Sequence, residues 1–186
     1  MTSDRTASSN ASARGWLLNF GDGRWAAVGE KELHEVVPDP VLTEDRSAPA
    51  HCRGRLAWRG LTLPVMDLAV VFGADADREP ARWLTVAAYV ADGESEPAFA
   101  ALRLQEPPVP VRVDDAMASS LPETSLRDYL VWSFLGLSCF RHGDRSVPII
   151  DLARLFAPQA QARLTRFSTV RELSLPERAV RSEAVS

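Results

Sequence analysis

Two cysteines in 186 residues, Cys52 and Cys139, are too few for a disulfide framework. With His34, His51 and His142 they offer no pair at zinc-ligand spacing, and His51 and Cys52 are adjacent, which suits chelation poorly. No apolar run approaches the roughly 20 residues of a membrane span, which excludes direct membrane insertion by a helix. Positive charge is not in excess: the net charge is −4, so nucleic acid, which needs a basic surface, is not the expected partner. The glycines of "GDG" and "HGDR" are isolated turns and form no phosphate-cradling loop. No cysteine or histidine stands in a nucleophile–base–orienter constellation, so neither an enzyme nor a cofactor is expected. The opening "MTSDRTASSNASARG" lacks the apolar core of a secretion signal and reads as a disordered tail over residues 1–15. The expected compartment is the cytoplasm.

What is present is a chain long enough for one domain or two small ones sharing an interface. A domain of this size buries roughly 70% of its unfolded surface, so its core needs no metal or disulfide. "WLLNF", "GDG" and "RWAAV" read as strand, turn, strand, with order beginning at Trp16. "EKELHEVV" places Leu33, Val36 and Val37 at helical spacing and predicts a turn or two of helix. "PDPVLTEDRSAPA" reads as a loop. "GRLAWRGLTLPVMDLAVVF" predicts a tight hairpin around Arg59-Gly60, followed by a single helical turn capped by Asp67. "RWLTVAAYV" and "AFAALRL" make the next hairpin, and the prolines of "QEPPVPVRV" confine that stretch to an edge or a loop. "SSLPETSLRDYLVW" reads as a loop, and "QARLTRFSTVREL" as a surface helix.

The chain repeats itself. Pro64, Asp67, Leu68, Ala69 and Phe72 recur 84 residues later as Pro148, Asp151, Leu152, Ala153 and Phe156. Duplicated short strands predict two small β-barrels, since closure removes exposed strand edges. Asp67 and Asp151 are repeat mates in capping positions and do not form a general acid–base pair.

"FGDGRWAAVGEKELHEVV", "CRGRLAWRGLTLPVMDLAVVFG" and "FLGLSCFRHGDRSVPIIDLARLF" resemble, in order and spacing, the CheW-like domain of bacterial chemosensory adaptors. Gly54, Arg59, Gly60, Pro64, Val65, Asp67 and Leu68 fill the most specific part of the family pattern. The resemblance implies a mainly β fold of two SH3-like five-stranded barrels with short helices over residues 16–157. Residues 158–186 would then form a C-terminal helix or disordered tail. It also implies a non-catalytic adaptor that couples the cytoplasmic tip of methyl-accepting chemoreceptors to the regulatory domain of a CheA-type histidine kinase. Glu35, Val36, Trp58, Arg59, Gly60 and Leu61 fall where the family meets its partners.

Two departures stand out. Ala57-Trp58 replaces the usual Asn-Leu before the Arg-Gly, and the 98–113 segment lacks the usual glycine and Val-Asp. That segment belongs to the groove where the family docks receptors. The competing reading is a structural or small-ligand module that keeps the fold without those partners. Trp58, beside Arg59, reads either as an interface anchor or as a core residue, since Trp and Arg are enriched at hot spots.

Overall fold

The alternating and β-branched runs of the sequence become eleven strands among the described residues of the computed structural model, which are 12–122 and 124–170. In chain order they are β1 (Ser12–Gly21), β2 (Arg24–Gly29), β3 (Leu33–Pro38), β4 (Leu42–Glu44), β5 (Gly54–Trp58) and β6 (Leu61–Met66). Then follow β7 (Trp83–Val90), β8 (Pro97–Leu104), β9 (Val109–Asp114), β10 (Gly136–His142) and β11 (Arg145–Ile150). Four helices join them: α1 (Leu68–Val71), α2 (Leu126–Leu135), α3 (Leu152–Phe156) and α4 (Pro158–Ser168). Two curled sheets result, ordered β10-β11-β2-β1-β9 and β3-β7-β8-β6-β5-β4. The mainly β, two-sheet expectation holds, with β4 as a sixth short strand on the second sheet.

The repeat is deeper than its five identities. Read from β5, the second sheet runs β5-β6-β8-β7-β3, which matches β10-β11-β2-β1-β9 strand for strand. The second sheet uses the consecutive strands β3 to β8, whereas the first joins β1 and β2 from the start of the chain to β9, β10 and β11. The parallel join falls at equivalent residues, Val65 beside Ala101 and Ile149 beside Ala27. Asp67 N–H donates to the His51 carbonyl at 2.8 Å, and Asp151 N–H to the Leu135 carbonyl at 2.8 Å. Both pairs are 84 residues apart in register. Asp67 caps α1 through Ala69 N–H, and Asp151 caps α3 through Arg154 N–H.

Each sheet has its own small core. Leu56, Trp58, Leu63, Leu84 and Val86 fill the second, while Leu17, Val111, Phe140 and Val147 fill the first. The largest core lies between the sheets, where Phe20, Met66, Phe72, Leu102, Trp132 and Leu152 are packed by the helices. Burying each such side chain contributes roughly 1.5–3 kcal/mol. Cys139 is a buried small side chain of the first sheet, and burial raises its thiol pKa.

Four local expectations are corrected. "EKELHEVV" is not helical: Leu33–Pro38 pairs along β7 as an edge strand, because six residues satisfy either period and the waiting edge of β7 decides. "SLRDYLVW" is not a loop but α2, started by Ser125, whose hydroxyl accepts from Asp128 N–H. The loop reading of residues 38–50 misses β4, whose Leu42 pairs with Leu56. Residues 12–15, expected in the tail, belong to β1, because Ser12 through Gly15 pair with Val111 through Asp114 whatever their side chains. Residues 109–114, with Pro110, do form an edge strand. The tail expected at residues 1–11, and that at 171–186, lie outside the described residues.

α4 is more than a surface helix. It buries Ala160, Leu164 and Phe167, and its Gln161 side-chain oxygen accepts from His51 Nε2 at 2.9 Å. His51 is buried, and that burial lowers its pKa below 6.5 against the opposing pull of Gln161 and Asp67. The unfolded chain therefore binds the extra proton first as pH falls through about 6.5. The melting temperature is expected to be a few degrees lower at pH 5.5 than at pH 7.5. His51→Gln should flatten that slope; an unchanged slope in differential scanning calorimetry would assign it to other groups.

Candidate functional site

The β5–β6 hairpin turns through two residues, Arg59 and Gly60, with φ of +48° and +81°. Both angles are positive, as a type I′ turn requires to match the twist of its strands. Asparagine or glycine usually fills the first position; here it is an arginine, and a non-glycine residue there is worth explaining.

The explanation comes from β3. Between Leu33 and Glu35 its register against β7 slips by one residue. Such a bulge re-aims the next side chain. Glu35 thereby meets the hairpin tip: its Oε2 accepts from Trp58 Nε1 at 2.9 Å and from Arg59 Nη2 at 2.8 Å. Arg59 also lies over the Trp58 ring, 4.7 Å from its centroid. The Trp58 N–H, more than the nearby Arg59 guanidinium, holds the Glu35 carboxyl below its ordinary range. Three side chains from two elements thus fix one another.

The six residues singled out in the sequence divide accordingly. Trp58 is buried against Phe99 and His34, so it supports the tip from beneath. Glu35 stands in a strand and not after a helix, and Val36 follows it half-buried. Gly60 is exposed, and Leu61 is 49% exposed. The Arg59 side chain is 62% exposed, and its Nε and Nη1 make no hydrogen bond among the described residues. The arrangement presents a guanidinium, fixed on one side by a carboxylate and an indole, beside an exposed leucine. It has the form of a contact surface.

A second polar cluster gave no local signal. Asp67 is buried, and beyond capping α1 it receives Arg78 Nη2 at 2.7 Å and Arg103 Nη1 at 3.2 Å. Those arginines lie 11 and 36 positions away, so no spacing rule finds them. The 98–113 segment divides between the sheets, β8 beside β6 and β9 beside β1.

Comparison with known proteins bears on this geometry. The family model of the CheW-like domain matches residues 17–114, which include the hairpin, the bulged strand and Asp67. No curated protein matches the sequence. Among solved structures, the scaffolding protein TtCheW from Thermoanaerobacter tengcongensis is similar, with a TM-score of 0.61 at 19% identity. The match covers 85% of this chain and 96% of that one, which establishes a shared fold.

Proposed function

Because the chain belongs to the CheW-like domain family, whose model spans residues 17–114, we propose that it is a non-catalytic adaptor of a chemosensory pathway. Its partners on this reading are the regulatory domain of a CheA-type histidine kinase and the cytoplasmic tips of chemoreceptors. The observation that carries the reading is the exposed Arg59, braced by Glu35 and Trp58 at a hairpin tip. A guanidinium held by one edge keeps a rigid fork of donors for a partner carboxylate or carbonyl. Gly60 lets a partner approach the turn closely, and Leu61 adds apolar contact. Val36 follows Glu35 in regular register and so faces the other side of the strand, which leaves it outside this patch.

The mechanism is differential binding. An adaptor that holds one arrangement of the kinase more tightly shifts its equilibrium by that difference alone. Individually weak contacts suffice where many copies assemble, because each neighbour raises the effective concentration of the next. The receptor side rests on the 98–113 segment, whose sequence departs from the family pattern. No helix among the described residues is long and apolar enough to cross a membrane, consistent with a cytoplasmic site of action.

The test is affinity capture of the full chain from its native cells, under conditions that keep weak complexes, read by mass spectrometry. A CheA-type kinase in the eluate is the expected result, and receptors beside it would extend the role to both partners. If neither is recovered, the adaptor reading falls. The ligand-binding alternative would then gain ground, for the first sheet bears an open cleft of about 260 Å³ lined in part by Ala13, Ala27, Val111, Phe140 and Ile149.

A further inference from the structure

Helix α2 is apolar on both of its sides. Val131, Trp132 and Leu135 enter the core between the sheets, with buried Asp128 bound to Arg24. The opposite side carries Leu126, Leu130 and Phe134, half-buried, and Tyr129, which is 41% exposed. Ser133 is the only polar residue in that stripe, which follows the i, i+3, i+4, i+7 spacing of one helix face. Leu137, just past the helix, is 63% exposed. A helix apolar all round is normally covered all round. Among the described residues α2 is covered only in part: Leu130 and Phe134 lean on the core, Phe134 meeting Phe167 at 5.9 Å, while Tyr129 and Leu137 face outward.

Arginines flank this stripe, of which only Arg154 has a carboxylate partner among the described residues, Asp151 at 3.5 Å. Arg163 of α4 lies over the Phe134 ring at 4.5 Å, and Arg154 of α3 donates to the Phe134 carbonyl at 2.8 Å. Arg166 follows Arg163 by one turn. From Leu152 to Val170 the chain has three arginines and no carboxylate, although its net charge is −4. Arg163 and Arg166 are exposed, and neither pairs with a carboxylate among the described residues.

We propose that the α2–α4 face docks an amphipathic helix of a partner protein whose apolar stripe is flanked by carboxylates. Tyr129, Leu130 and Phe134 supply anchors at the spacing that a helix laid on a helix can read. Arginines along the rim select acidic flanks and repel basic ones. The same rim argues against a second copy of this chain, which would set arginine against arginine. This face shares no residue with the Arg59 hairpin, so it stands or falls apart from the adaptor reading.

The test titrates the full chain into two fluorescein-labelled helical peptides of about 20 residues, long enough to span α2. Both carry leucine at i, i+3, i+4 and i+7; one has glutamate on both flanks, the other lysine. The glutamate peptide should bind at least about tenfold more tightly, and its affinity should fall as salt rises from about 50 to 500 mM. Arg163→Glu with Arg166→Glu should invert the preference, and Tyr129→Glu should abolish binding of either peptide. Equal binding of the two peptides, binding of neither, or a salt-independent affinity would overturn the proposal, and these need only the unaltered chain. So would a dimer that Tyr129→Glu dissociates in light scattering, because the face would then belong to a second copy.

Discussion

Arg59→Glu should lower the affinity of the chain for the regulatory domain of a CheA-type kinase about a hundredfold or more while leaving its melting temperature within a few degrees. The folded chain tolerates the change because the Arg59 side chain is 62% exposed and its ion pair with Glu35 is at the surface. Trp58 keeps its own bond to Glu35 at 2.9 Å, so the bulged strand stays tied to the hairpin. The strained turn position is no worse for glutamate than for arginine, since neither favours a φ of +48°. Binding is another matter. The reversal replaces a donor fork with a second carboxylate beside Glu35, and a partner acceptor that met Arg59 now meets two like charges. Two milder variants separate charge from geometry. Arg59→Lys keeps the charge and loses the planar fork, so an intermediate loss is expected. Glu35→Gln still accepts from Trp58 but releases Arg59 from its ion pair, and a smaller loss should follow through lost preorganisation. Isothermal titration with purified kinase domain measures all three. Affinity unchanged by Arg59→Glu would remove Arg59 from the contact.

The hairpin was legible in the sequence because its signals are local. Arg-Gly between two apolar runs demands a two-residue turn, and the Pro-Val-x-Asp-Leu after it demands a strand and a cap. Glu35 was legible as a position but not as a contact. Its bond to Trp58 spans 23 residues and depends on a bulge that no short pattern announces. β3 and α2 were misread for opposite reasons. "EKELHEVV" carries helix formers, yet an edge strand wins because its backbone groups find partners on β7. "SLRDYLVWSFL" hides its period because both faces are apolar, although Ser125 and Asp128 mark a helix start. The repeat was visible only where its two halves kept the same residues. That the first sheet joins distant parts of the chain appears once pairing is known, since Leu17 of β1 meets Val109 of β9, 92 residues on.

Asp67→Ala should destabilise the fold by about 3–5 kcal/mol, against about 1 kcal/mol for Asp151→Ala. The two residues occupy equivalent places, and each caps the short helix that follows it. Removing either carboxylate therefore costs one cap. The difference lies in what else each one holds. Asp151 has a single arginine partner, Arg154 at 3.5 Å, which is 42% exposed and can turn to water. Asp67 holds Arg78 and Arg103, whose side chains are 24% and 15% exposed. Burial already lowers the Arg103 pKa, Asp67 opposes that, and Arg78 reinforces it. Without the carboxylate, two half-buried cations face each other with nothing between them. Asp67→Asn sharpens the comparison, because an amide oxygen can still accept from Ala69 N–H while the charge is gone. It should recover only the cap, leaving most of the loss in place. Denaturant unfolding of the three variants supplies the measurement. Equal losses for Asp67→Ala and Asp151→Ala would mean that the arginines reach water unaided, and that the cluster adds nothing beyond the cap.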